Sequence, residues 1–408
     1  MYLELLFISV YFLSQSVSHD FDSIQSVEVL GPNSVNKRVV KRSISFPVTV
    51  EYSFYAFSKE FRLLLKNKGG LLSPEFEAVT FEEDNKNGES IIVDVNDFYE
   101  GSTFGDAYSD VKAYVDENGM LTATIKTKND IYIIEPAWRH LNDAEYGSSI
   151  VYKYNVTYPT RNQNFMNNNS EKIVKRAKRS YNFSRNRCPL KLVADYLFYK
   201  NIGGSSASAT VKYLIALIDR VNSIFLETSW QDFEGDTKAI QNMGFVIKKI
   251  EIYKNFSQNP LHYNTDTISD IGKLLHVFSV LEGTDFNKFC LVHLFTYRAF
   301  MSGVLGLGYI AQPGIGSPGG MCCAASIEAD KLVYYNTAIS SLRSTYGKTV
   351  VTREADLVTA HVPSFSDWKS EPKVLLIYIY LKSEKHVRRG LSGHFCTLQI
   401  HAREKSQV

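Results

Sequence analysis

The sequence predicts two parts: an α/β domain with crossover helices in its second half, preceded by a mostly antiparallel β domain. Three observations carry this. Residues 46–57, "FPVTVEYSFYAF", and 149–159, "SIVYKYNVTYP", alternate apolar and polar positions and are rich in β-branched and aromatic residues, as half-buried strands are. After residue 187, short apolar runs alternate with stretches of helical periodicity, the pattern of strands joined by crossover helices. Between the two lies "RNQNFMNNNSEKIVKRAKRS", polar and basic, with the composition of an exposed connection.

The elements follow in order. Residues 1–18, "MYLELLFISVYFLSQSVS", have an apolar run from Leu5 to Leu13 and small residues at Ser16 and Ser18, the pattern of a signal peptide removed after Ser18. In the first domain "ESIIVDVNDF" and "LTATIKTKNDIYIIEPAW" continue the strand pattern, with turns at Glu117-Asn118-Gly119 and Lys128-Asn129-Asp130. Only "FSKEFRLLLKNKGG", residues 57–70, reads as a helix. In the second domain "CPLKLVADYLFY", "GFVIKKIEIY" and "FCLVHLFTY" read as strands. Leu214, Leu217, Ile218, Val221, Ile224 and Phe225 recur at helical spacing, and "DTISDIGKLLHVFSVLEG" reads as a second helix.

The 408 residues suit two domains plus extras, and the net charge of +2 excludes an electrostatic nucleic-acid footprint. No run approaches the ~18 apolar residues of a membrane span; "VLLIYIYL" at 374–381 reads as a strand. Asn155, Asn168, Asn182 and Asn255 each begin an N-x-Ser/Thr acceptor for glycosylation, which agrees with a secreted chain. Cys188, Cys290, Cys322, Cys323 and Cys396 then meet an oxidising compartment. Arg176, Lys178 and Arg179 form the R-x-[KR]-R pattern that a furin-type convertase cuts, before Ser180, and the Asn-rich run upstream supplies exposure. The pair Lys41-Arg42 lacks the upstream arginine. Residues 19–179 are therefore expected to be a pro-region.

Ordered blocks of the chain resemble the ADAM metalloproteases, specifically the tumour necrosis factor-converting enzyme type. They are "DFYEGSTFGDAYSDVKAYV", "YIIEPAWR", "KLVADYLFY", "YLIALIDRVNSIFLETSW", "CLVHLFTYRAF", "GVLGLGYI", "GGMC" and "YGKTVVTREADLVTAH". The resemblance implies a metzincin-type catalytic domain, a twisted mixed sheet with crossover helices, over residues 180–361. It also implies a latent secretory-pathway endopeptidase that takes extended segments of membrane-protein ectodomains. Such enzymes hold Zn²⁺ in the form HExxHxxGxxH: histidines at i and i+4 share one helix face, and the glutamate stands beside the metal-bound water.

His361 occupies the first histidine position. Val362 stands where the glutamate belongs, Phe365 and Glu371 where the other histidines belong, and Trp368 at the glycine, while Pro363 breaks the helix. The likeness stops there, so residues 362–408 are a divergent tail and only the upper part of the catalytic domain is expected. The chain is expected to have no catalytic glutamate, a remnant ligand in His361, and no bound zinc. Val304, Leu305, Gly306, Leu307 and Gly308 resemble the family's edge strand above the cleft, whose free backbone groups pair with an extended substrate. The resemblance pairs Cys188 with Cys290, places the partner of Cys322 beyond His361, and leaves Cys322 and Cys323 as candidate unpaired thiols unless Cys396 takes one of them. The pro-region holds no cysteine, so any latency would come from packing over the cleft. His140, His262 and His293 read as structural. Without further segments the chain is expected to be secreted; the family usually adds a membrane anchor.

Overall fold

The structure, a computed structural model, describes residues 24–343 apart from 44–45, 69–70, 83–87, 142, 156–186, 228–243, 282–285, 301–303, 310–319 and 324. The first domain supplies β1 (Ile24–Leu30), β2 (Asn36–Ser43), β3 (Phe46–Ala56), β4 (Lys59–Asn67), β5 (Leu72–Phe81), β6 (Glu89–Ser90), β7 (Phe98–Thr103), β8 (Asp110–Val115), β9 (Leu121–Lys126), β10 (Asp130–Pro136) and β11 (Ser149–Asn155). Nine of them form one antiparallel sheet in the order β1-β11-β10-β9-β8-β7-β4-β3-β2.

Residues 57–70 are not a helix. They open into β4, in which Phe61, Leu63 and Leu65 are fully buried and alternate with Arg62, Leu64 and Lys66. Burying each such side chain contributes about 1.5–3 kcal/mol, far more than the few tenths by which Lys, Leu and Glu favour a helix. The turn before β4 is a two-residue hairpin, because Ala56 pairs with Lys59 and both Phe57 (φ 53°) and Ser58 (φ 57°) are left-handed. That conformation matches the strand twist, but neither residue is one of the glycine or asparagine signals of such a turn.

The second domain supplies β12 (Arg187–Ala194), α1 (Tyr196–Asn201), α2 (Ala207–Glu227), β13 (Gly244–Tyr253), α3 (Ile271–Ser279), β14 (Leu291–Thr296), β15 (Gly306–Gly308), β16 (Ser326–Glu328), β17 (Lys331–Val333) and β18 (Thr337–Ser341). Strands β12, β13, β14 and β18 are parallel neighbours, and β15 closes one edge antiparallel to β18. β14 and β18 are buried at every residue, as strands covered on both faces must be. Leu190, Leu192 and Phe295 face α2; Val193, Val292 and Leu294 face α3. The expected α/β order is thus borne out, and no helix among the described residues is long and apolar enough to cross a membrane.

One feature was not expected. β5 and β6 leave the nine-stranded sheet and extend the second sheet, whose order is β15-β18-β14-β12-β13-β5-β6. Helix α2 lies between the two sheets. Val211, Leu214 and Ile218 share an apolar cluster with β12 on one side and with Phe98 and Tyr114 of β7 and β8 on the other. Its polar residues also face the first domain: Asp219 lies 3.0 Å from Lys68 and 3.1 Å from Lys112. Arg220 donates to Thr124, and Lys212 to the Val115 carbonyl. Gly204 has φ +61° and a Cβ there would lie 2.6 Å from the Trp138 ring, so only glycine permits that contact.

Arg139 makes the same link from a buried position. Its guanidinium donates to Glu135 at 3.2 Å, to the Tyr114 hydroxyl at 3.2 Å and to the Ile202 carbonyl at 3.2 Å. Glu135 also meets His140 at 2.7 Å and accepts from the Tyr152 hydroxyl. Burial pushes the Glu135 carboxyl up, but His140, Arg139 and Tyr152 outweigh it and hold its pKa at about 2, below the ordinary 4.5. A depressed carboxylate contributes stability that is present above the unfolded value and lost as pH falls through the folded one. Denaturant unfolding should therefore show stability declining from about pH 4.5 toward 2. Glu135→Gln should be less stable at neutral pH and show a flatter profile in that window; an unchanged slope would contradict the assignment.

Candidate functional site

The expected substrate edge is present. Gly306 pairs with Ser340, Leu307 with Ile339 and Gly308 with Ala338. Val304 and Leu307 pack against the cluster formed by α3 and β14, which anchors the strand while its outer side has no strand neighbour among the described residues. Such an edge offers N–H and C=O groups that an extended peptide can pair with. The Ser341 N–H donates to the Leu305 carbonyl at 2.7 Å, and the Ser341 hydroxyl donates to the Arg298 carbonyl at 2.6 Å. β18 thus fixes both ends of the segment that enters the edge.

Arg298 belongs to a buried network at the carboxyl ends of β12 and β14. Asp195 directly follows β12, caps α1 by accepting from Phe198 N–H at 2.9 Å, and receives the Thr296 hydroxyl at 2.5 Å. The Arg298 guanidinium lies 3.4 Å from Asp195 and donates to the carbonyls of Ile268 at 3.0 Å and Tyr263 at 3.1 Å. Burial raises the Asp195 pKa, and the Arg298 charge opposes that rise. Sequence reasoning missed this network. Asp195 before "YLFY" carries a cap signal, but nothing local ties it to a residue 103 positions away.

The three histidines are structural. His293 bonds Ser340 at 2.9 Å and stacks on Phe295, and burial lowers its pKa to about 3. His262 accepts from Asn264 N–H, and His140 meets Glu135 as described. Among the described residues, one group of three or more His, Cys, Asp or Glu side chains could hold a metal ion: Cys188, Cys290 and Cys322, with ligand atoms within 4.8 Å of one another.

Those sulfurs bear on the expected pairing. Cys188 and Cys290 lie on neighbouring strand ends with Cα atoms 5.4 Å apart, and Cys290 and Cys322 are 4.0 Å apart. One sulfur makes one disulfide. The first spacing falls within the usual range of about 4.4–6.8 Å and the second falls below it. The structure places Cys322 at the same Cys290 sulfur that Cys188 approaches, so Cys188 and Cys322 compete for one partner.

Where the region upstream of residue 156 touches the second domain can be read among the described residues. It meets α2, the segment before α2 at Ile202, Gly204 and Ser206, and the outer edge of β13, the sheet edge opposite β15. Asn255 is exposed and Asn155 ends β11. Asn168, Asn182, Arg176, Lys178, Arg179, Ser180, His361 and Val362, with the signal segment and the tail from residue 362, lie outside the described residues.

Residues 207–362 match the family model described as "Metallo-peptidase family M12B Reprolysin-like". The chain is 36% identical over 198 residues to the disintegrin and metalloproteinase domain-containing protein 17 homolog of Caenorhabditis elegans, covering 46% of this chain and 28% of that one. It is 25% identical over 361 residues to the human disintegrin and metalloproteinase domain-containing protein 10, covering 80% of this chain and 45% of that one. The chain spans less than half the length of either relative. A solved structure, metalloproteinase-II from Bacteroides fragilis, overlaps at a TM-score of 0.31 and 12% identity over 78% of this chain and 79% of that one, too little to bear on the fold. The M12B match begins on α2 and runs through β13, β14, the β15 edge and β18, and the chain is similar there to the disintegrin and metalloproteinase domain-containing proteins.

Replacing Arg298 by methionine should destabilise the domain by about 3–5 kcal/mol at neutral pH, because it strands the Asp195 carboxylate in the interior. The loss should shrink in acid, where Asp195 neutralises. Urea unfolding at two pH values checks this; a pH-independent loss below about 1 kcal/mol would refute the network's role.

Proposed function

We propose that the chain is the pro-region and upper catalytic half of a secretory-pathway zinc metalloendopeptidase precursor of the tumour necrosis factor-converting type, an ectodomain sheddase, and that it is inactive with the sequence it carries. The supporting observation is an open β15 edge within an M12B match that extends to residue 362, past His361. The edge would align an extended segment of a membrane-protein ectodomain by backbone pairing. Gly306 and Gly308 would let that backbone approach closely.

The donor set does not fit the family's zinc site. A catalytic zinc takes three protein ligands, and residues 361–371 supply His361 and none of the other motif positions. The three cysteines are a different kind of donor set, placed at the amino ends of β12 and β14, whereas the Asp195 network marks the carboxyl ends. No hydrolytic step is therefore assigned to these residues. A second reading follows from the same contrast: an intact substrate edge without a metal centre suits a secreted substrate-binding decoy. In either case a furin-type convertase would cut after Arg179, with glycans at Asn155, Asn168, Asn182 and Asn255 and a disulfide between Cys188 and Cys290.

Elemental analysis and a peptide-cleavage assay on the purified chain should give no stoichiometric zinc and no turnover; one bound zinc with cleavage would overturn the inactive assignment. Convertase treatment should yield a new amino terminus at Ser180. A resistant chain, or a cut only at Lys41-Arg42, would remove the pro-region assignment.

A further inference from the structure

β5 and β6 form an arm rather than a part of the sheet they leave. β4 and β7 pair directly, from Leu63 with Thr103 to Asn67 with Tyr99, and the Lys68 N–H closes the base of the excursion on the Phe98 carbonyl at 2.9 Å. The nine-stranded ladder is therefore continuous without the arm. Beyond its base, the arm extends to the outer edge of β13 and pairs parallel to it, Ala78 with Ile250 and Thr80 with Ile252. Backbone bonds mark both ends of the seat: Ile247 N–H to the Leu71 carbonyl at 2.8 Å, and Lys254 N–H to the Phe81 carbonyl at 2.9 Å.

The seat has a sign. The β13 side presents Lys248, Lys249 and Lys254, and the arm answers with Glu75, Glu77, Glu82 and Glu89 at 2.9, 3.8, 3.2 and 3.2 Å. These carboxylates are mostly exposed, so each pair adds little affinity; their consistent sign selects the partner. Two positions add shape. Ala78 is buried in the core cluster and requires a small residue, and Phe81 stacks on Tyr253 at 5.3 Å between ring centres.

We propose that the outer edge of β13 is a strand-docking site for extended acidic peptide segments, and that residues 71–91 are its tethered occupant. A segment fits when it carries glutamates flanking a small buried residue and, three positions on, an aromatic ring. The site is at the opposite sheet edge from β15, so a peptide can occupy it without competing for the substrate edge. It depends on neither cleavage at Arg179 nor zinc, so it stands or falls separately from the metalloprotease reading.

The test uses the full chain and a fluorescent peptide of residues 71–91. A variant with Glu75, Glu77, Glu82 and Glu89 changed to lysine weakens the tethered arm at exposed positions and should bind the peptide about tenfold more tightly than the unmodified chain, which holds its own arm at high effective concentration. In a chain that keeps its glutamate arm, Lys248→Glu, Lys249→Glu and Lys254→Glu should likewise loosen the arm and reverse the preference toward a lysine-substituted peptide. Equal binding by the first variant and the unmodified chain, or no reversal, would overturn the proposal. Amide exchange on the unmodified chain gives a check without substitutions. In high salt, exchange should quicken at Ile247 and Lys254 while β14 stays protected; uniform protection would also count against it.

Discussion

The structure depends on one helix shared by two sheets. α2 is apolar toward β12 and carries a second contact surface toward β7 and β8, where Asp219 lies between Lys68 and Lys112. Burial pushes the Asp219 carboxyl up, but the two ammonium groups outweigh it and keep its pKa below the ordinary carboxylate value. Removing Asp219 would leave two ammonium groups desolvated side by side, and removing the lysines would leave its carboxylate buried without a counter-charge, so the pairing enforces register as well as contact. Arg139, reaching from the first domain to the Ile202 carbonyl, adds a second tie of the same kind. The region upstream of the basic segment is therefore a structural component of the half that follows it.

That arrangement separates two roles at the sheet edges. β13 is occupied by β5 from the same chain, and β15 is left with a free outer side among the described residues. The network of Asp195, Thr296, Arg298 and Ser341 holds the carboxyl ends of β12 and β14 against the segment that leads to β15. A rigid strand frame with one open edge suits recognition of extended peptides. Residues 361–371 carry His361 but neither the glutamate nor the other two histidines of the HExxHxxGxxH pattern.

Much of this was legible in the sequence. The alternation in β3, the buried runs of β12, β13 and β14 and the helical spacing from Leu214 to Phe225 each encode their element locally. β4 was misread because three leucines and flanking Lys and Glu also suit a helix, and its turn at Phe57-Ser58 lacks a turn residue. The pairing of β5 with β13 was not legible, since a strand's pattern reports that it pairs and not with which partner. Asp195 and Arg298 were hidden by their separation in sequence. The Cys188–Cys290 proximity came from family resemblance, and the approach of Cys322 to the same sulfur came only from the structure.

The most direct test of the shared helix is a double-mutant cycle on Lys112→Met and Asp219→Leu, read by denaturant unfolding with separate probes on each sheet. The account predicts a coupling of about 1–3 kcal/mol and a single transition seen by both probes. A coupling near zero with two independent transitions would contradict it.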